Sequence, residues 1–202
     1  MRHVPGAAVA LAGRQAAVGA LRMPSVPRRL LPTTILVSVA IPLAALAGVA
    51  SAAGENVSVP DVLGSHLTRV KAKADLPVRV PSRVRVYFSR SKIFPTPSSA
   101  TGDSYAMGIG IGKRCNGANV CFIAGFYAER GAKPSYRRKV RLTQHRTGYF
   151  KPLTCGASCS APELQWIQRG VLYTVAYKGS DQAHEKSYLI SLVNSAILAG
   201  VR

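Results

Sequence analysis

The spacing of apolar positions changes character along the chain. From Leu30 to Ala50 there is no charged residue and no preferred face, only Pro32 and Pro42 as interruptions. From Asp61 to Asp75 the apolar residues Val62, Leu63, Leu67 and Val70 recur near helical spacing, which predicts a short helix with Asp61 at its cap. Leu76-Pro77-Val78-Arg79-Val80-Pro81 ends it, since proline disfavours helix in the residue before it. Beyond that point the period is two. Val84, Val86 and Phe88 alternate with Arg83, Arg85 and Tyr87, a strand pattern. Lys92 to Gly102 is rich in Pro, Ser and Thr and reads as a loop.

Two strands follow. Tyr105, Met107, Ile109 and Ile111 share one face; Ala106, Gly108, Gly110 and Gly112 share the other. A glycine face permits close approach of a helix, another backbone or a ligand. Val120, Phe122, Ala124, Phe126 and Ala128 alternate with Cys121, Ile123, Gly125 and Tyr127, so this strand is apolar on both faces. Val140–Leu142 and Gly148–Phe150 read as a hairpin across Gln144–Thr147, and Leu164–Gln168 and Val171–Tyr177 as another across Arg169-Gly170. Gly179-Ser180-Asp181 then caps a helix from about Gln182 to Ala199, with Leu189, Leu192, Val193, Ala196 and Ile197 as its apolar stripe and Gly200 as its stop. The sum is an α+β fold: an antiparallel meander of about six strands, with a short N-terminal helix and a C-terminal helix packed on it.

The uncharged run changes the setting. Arg28 and Arg29 precede it and Ala50-Ser51-Ala52 follows it, which together describe an export signal. Met23 is a plausible start for such a signal, leaving 1–52 as an N-terminal extension and signal peptide. The run is also close to the ~20 residues that span a bilayer, so an uncleaved anchor over 30–52 stands as the alternative. Residues 53–202 make one domain: a helix, first strand and Pro/Ser-rich loop over 53–103, and a disulfide-pinned sheet with the C-terminal helix over 104–202. The expected location is secreted, periplasmic or cell-envelope.

Charge adds a partner class. Of 27 basic and 8 acidic residues, only Arg2, Arg14, Arg22, Arg28 and Arg29 precede Ala53, which leaves +14 on the remainder. Such a field attracts anionic lipid or acidic cell-wall polymer, and an envelope protein is the further candidate; nucleic acid is not the expected partner. The basic residues concentrate in Arg130, Lys133, Arg137, Arg138, Lys139, Arg141, Arg146 and Lys151, interleaved with Tyr136, Tyr149 and Phe150. Cations for phosphate or carboxylate with aromatics for stacking can grip a polyanion. The plain alternative is a solvated hairpin face.

Four cysteines fall in two local pairs, Cys115/Cys121 and Cys155/Cys159. Export and an even count predict disulfides, and of three connectivities the local pairing is favoured because each pair flanks turn residues, including Asn116-Gly117. The C-x5-C and C-x3-C spacings do not match zinc knuckles.

Tyr149-Phe150, Cys155-Gly156-Ala157-Ser158-Cys159, Trp166, Gly170, Tyr173 and Asn194-Ser195-Ala196-Ile197 resemble a family of small exported bacterial domains of unknown function. The Trp166-x-x-x-Gly170-x-x-Tyr173 hairpin and terminal helix also resemble domains attached to bacterial envelope and anti-sigma-type proteins. The resemblance covers about residues 104–200. It implies a shared fold and an envelope location, and no activity.

No catalytic constellation is visible. Gly108–Lys113 lacks the GxxxxGK[ST] order of a phosphate loop, because Arg114 stands where Ser or Thr is needed. His66, His145 and His184 are scattered, and Glu55, Asp61, Asp75, Asp103, Glu129, Glu163, Asp181 and Glu185 form no spaced acid/base pair. Ser158 lies outside any G-x-S-x-G elbow. No cofactor or metal is expected. The expectation is a non-enzymatic domain that binds an anionic partner; a small wall-acting hydrolase or a tethered structural or sensory module are the alternatives.

Overall fold

The computed structural model describes residues 54–179 and 184–202, all within the unit Gly48–Arg202. The expected signal or anchor segment lies outside these residues. The described chain opens with strand β1 (Glu55–Ser58) and helices α1 (Val59–Leu63) and α2 (Ser65–Lys73). The single helix expected over 61–75 is therefore two, broken at Gly64, whose φ of +47° suits glycine. Ser58 rather than Asp61 is the cap: its Oγ accepts the Asp61 N–H at 3.4 Å, with Pro60 in the first turn. β1 pairs antiparallel with β2 (Arg83–Val86), Val57 opposite Val84. The alternating stretch at 83–88 thus forms a separate ribbon rather than part of the main sheet. β1 has only Val57 as an apolar residue, too little alternation to announce a strand.

The main sheet is larger than the six strands expected. In chain order it uses β3 (Ile93–Pro95), β4 (Ser99–Thr101), β5 (Ser104–Ile111), β6 (Phe122–Arg130), β7 (Arg138–Arg141) and β8 (Thr147–Lys151). A small ribbon of β9 (Thr154–Cys155) and β10 (Cys159–Ser160) intervenes before β11 (Glu163–Gln168) and β12 (Val171–Tyr177) complete it. Across the eight-stranded sheet, β3 and β4 lie along one side of β5, and the order continues β5-β6-β12-β11-β8-β7. Every pairing is antiparallel. The Pro/Ser/Thr-rich stretch supplies two edge strands: buried Ile93 lies opposite Ile111, and the Thr96 N–H donates to the Gly108 carbonyl at 2.9 Å.

The sheet also departs from a meander. β6 is followed in space by β12, so the chain must cross the sheet to reach β7. Where sequence expected a tight joint between β11 and β12 it exists: Arg169 and Gly170 both have positive φ, 52° and 74°, the primed turn that matches strand twist.

One face of the sheet carries the core. Tyr105, Met107, Ile109, Ala124, Phe126, Phe150, Leu164, Trp166, Tyr173 and Val175 are buried there. The Trp166 and Tyr173 rings, paired in register, stack with centroids 5.0 Å apart at 20°. Helix α3 (Glu185–Ala199) covers this face with Leu189, Leu192, Val193, Ala196 and Ile197, the stripe expected from sequence; Gln182, its expected start, lies outside the described residues. The glycine face of β5 admits close neighbours. A Cβ on Gly108 would lie 2.6 Å from Thr96 Oγ1, and one on Gly110 would meet the Cys115 sulfur and lie 2.9 Å from the Cys121 carbonyl.

Residues 76–80 pass beneath the sheet, and Tyr105 fixes them. Its hydroxyl accepts from the Arg79 N–H and donates to the Arg79 carbonyl, both at 3.0 Å. Tyr105→Phe should lower the free energy of denaturant unfolding by about 1–3 kcal/mol, since both backbone groups lose a buried partner. Burial pushes the Tyr105 phenol well above its ordinary value of 10.0. Folding therefore favours the neutral phenol. The associated stability is whole below about pH 10 and is lost as pH rises further, so an alkaline titration followed by tyrosinate absorbance should show Tyr105 ionising only as the fold opens.

Candidate functional site

The crossing from β6 to β7 sets the geometry of the basic region. β6 ends with Arg130 opposite Val171 of β12, while β7 begins with Arg138 in the row of Phe150, Leu164 and Val175. Residues 131–137 thus run diagonally over the face opposite the core. Three contacts hold them: Gly131 N–H to the Gly170 carbonyl at 2.8 Å, Ser135 N–H to Gln165 Oε1 at 2.9 Å, and the Tyr136 hydroxyl to Glu163 Oε2. Glu163 also pairs with Lys151 Nζ at 3.0 Å. Burial and the hydrogen bond to Glu163 hold the Tyr136 phenol well above its usual range.

The crossing sorts the cations named from sequence. Arg130 is committed to Asp103 at 2.7 Å and to the Asp75 carbonyl at 2.6 Å, on the far side of the sheet from β7. Lys151 is held by Glu163 and lies over the Tyr136 ring at 5.8 Å. Arg146 is half-buried and turned toward Gln168, whose amide oxygen, so oriented, accepts from Arg146 Nη2 at 3.2 Å. Arg138 packs its guanidinium over Phe150 at 5.6 Å. Lys133, Arg137, Lys139 and Arg141 are exposed and form no ion pair with any described residue. The structure therefore gathers Arg137, Arg138, Lys139 and Arg141 at one sheet edge, leaves Lys133 on the crossing between the Gly131 and Ser135 anchors, and removes Arg130, Arg146 and Lys151 from the edge.

The interleaved aromatics are not a stacking platform. Phe150 is buried in the core at 3% exposure, and Tyr136 is tied to Glu163. Strand alternation sends Phe150 to the core face and Tyr149 to the other.

Both disulfides form locally, Cys115–Cys121 and Cys155–Cys159. They sit at the same end of the sheet and are tied together. Asn119 Nδ2 donates to the Cys159 carbonyl, and Lys178 Nζ donates to the Asn119 carbonyl at 2.9 Å and to its Oδ1 at 3.2 Å. Asn119 joins two loops distant in sequence, a role that spacing alone does not show.

Beside them is a recess of about 410 Å³ lined in part by Arg85, Tyr177, Tyr188, His184, Glu185 and Ser187. Glu185 Oε1 accepts the Leu153 N–H at 3.0 Å, and Ser187 Oγ donates to the His184 carbonyl at 2.9 Å. Ser187 thus serves the first turn of α3, while Glu185 ties that turn to the segment after β8. The histidines are not brought together. His66 Nδ1 bonds Ser98 Oγ at 3.1 Å, and His145 sits exposed in the β7–β8 turn at φ 56°. Gly108–Ile111 is strand interior rather than a phosphate loop. Among the described residues no cluster of His, Cys, Asp or Glu is placed to hold a metal, and no helix is long and apolar enough to cross a membrane.

Comparison with protein-family models, curated proteins and solved structures finds no match to this chain.

Exposure separates the two disulfides. Cys115 is 7% exposed and packs on Gly110, while Cys155 is exposed. Mild reductant should open Cys155–Cys159 first, read as alkylation by mass spectrometry. Replacing that pair by alanine should cost no more than about 2 kcal/mol, because a short loop releases little chain entropy.

Proposed function

We propose that this protein is an exported, non-enzymatic binding domain of the cell envelope or its surroundings, and that the β7 edge takes an anionic partner. The observation that carries the reading is the group Arg137, Lys139 and Arg141: three exposed cations on one edge with no ion-pair partner among the described residues. Charge on an edge strand discourages stray strand pairing, and a dense cationic edge is repelled by itself unless an anion offsets it. The net charge of +14 beyond residue 52 draws such a partner from a distance. The uncharged run after Arg28-Arg29 and the two disulfides support a location outside the cytoplasm. The partner class is anionic lipid, acidic cell-wall polymer or an acidic envelope protein.

Retention on an acidic-polysaccharide resin tests this. The protein should elute only at raised salt, because exposed charges are screened as the Debye length falls below ~8 Å. The triple variant Arg137→Glu, Lys139→Glu, Arg141→Glu should elute near the void at low salt with an unchanged circular dichroism spectrum. Elution of the unaltered protein at low salt, or co-elution of the two, removes the reading.

A further inference from the structure

The β7 edge has a second property beyond charge. Leu142 N–H donates to the Arg146 carbonyl at 2.9 Å, which makes Leu142 and Arg146 a hydrogen-bonded pair. Bonded and non-bonded pairs alternate along an antiparallel ladder. The next bonded pairs are therefore Val140 with Gly148 and Arg138 with Phe150, and Arg141 opposite Thr147 and Lys139 opposite Tyr149 are the non-bonded ones. In non-bonded positions the backbone N–H and C=O point away from the partner strand. Lys139 and Arg141 thus turn both backbone groups toward the free side of β7, and neither group bonds to another described residue there. The same two residues place their side chains on the face away from the core, Lys139 in the row of Tyr149 and Gln165 and Arg141 opposite Thr147. Arg138 and Val140 alternate to the core face, with Val140 buried at 9%.

Free ladder groups and cations therefore coincide at the same two residues. We propose that the β7 edge binds an extended acidic peptide segment as an added antiparallel strand, with acidic residues at alternate positions opposite Lys139 and Arg141 and small or β-branched residues between them beside Arg138 and Val140. This rests on the reading of the edge as anion-binding, and names the partner as polypeptide. Main-chain bonds supply affinity in such additions and alternate side chains supply specificity. Opposite charges directly across a strand pair attract, and like charges repel. The same rule excludes a second copy as occupant, since it would set Lys139 and Arg141 against the same cations.

The opposite edge of the sheet does not offer this. β3 and β4 are three residues each, and Pro95 and Pro97 interrupt the donors there.

The probe is the peptide Glu-Thr-Glu-Val-Glu-Thr-Glu, end-capped and fluorescently labelled, with binding to the full domain read by anisotropy. Two chemical variants share its charge. One carries N-methyl groups on the glutamates, whose N–H groups the ladder uses. The other carries them on Thr and Val, whose N–H groups face away. The expected result is that methylated glutamates weaken binding about tenfold or more while methylated Thr and Val leave it nearly unchanged. The domain variant Lys139→Glu, Arg141→Glu should weaken the parent peptide to a similar degree. Amide shifts on binding should centre on residues 137–142.

Three peptides binding equally would show a charged surface without strand addition, overturning this proposal while the anion-binding reading stands. No peptide binding by a domain still held on the acidic-polysaccharide resin would overturn it likewise. Failure of both peptide and resin would remove the two together. A concentration-dependent dimer abolished by Lys139→Glu, Arg141→Glu would identify a second copy as the occupant and also overturn it.

Discussion

A single buried cation holds the layers in register. Arg79 is 7% exposed and has no carboxylate partner among the described residues. Burying a lone charge costs several kcal/mol unless dipoles replace its hydration. Here Nη1 donates to the Ile197 carbonyl at 3.4 Å, at the negative end of α3, and Nη2 lies 3.1 Å from the Gln168 amide oxygen. The guanidinium also stands 6.0 Å over the Tyr173 ring, and Tyr105 binds the backbone of the same residue on both sides. The last turn of α3 and strands β5, β11 and β12 must all be placed before these groups surround the charge. A hydrophobic contact tolerates small slips; a desolvated guanidinium answered only by dipoles does not.

The outer face follows from the crossing of 131–137. That segment covers Gln165 and ties Tyr136 to Glu163, and it delivers the chain to the far edge just as a run of cations begins. Arg130, at the start of the crossing, is neutralised by Asp103, while the cations at its end are left to solvent. The disulfide loops and the Asn119–Lys178 contacts stiffen the end of the sheet near which β7 starts.

Much of this was legible in the sequence where one residue type dominates a local period. The α3 stripe, the Arg169-Gly170 turn, the β7–β8 hairpin and both cysteine pairs depend on neighbours within a few residues. What was hidden depends on partners far along the chain. β1 is a strand because Val84 and Val86 lie opposite it, and the Pro/Ser-rich stretch contains strands because β5 offers it a free edge. The β6–β12 pairing overrides the neighbourly order that a meander assumes. At the candidate site the run of cations was visible, but not its division: Arg130, Arg146 and Lys151 find partners at 103, 168 and 163, which no local pattern announces.

The β6–β12 ladder also orders the events of folding. Its rungs join Ala124–Arg130 to Val171–Tyr177, so closing the centre of the sheet spans the whole intervening hairpin and ribbon. Contacts of such sequence separation form slowly, because the loop must be closed before they reward it. A chain emerging from a ribosome or through a membrane pore N-terminus first cannot seal its central sheet until Tyr177 is free, nor answer the charge of Arg79 until Ile197 has followed. The central ladder and the buried guanidinium thus both wait on residues of the last third of the described chain.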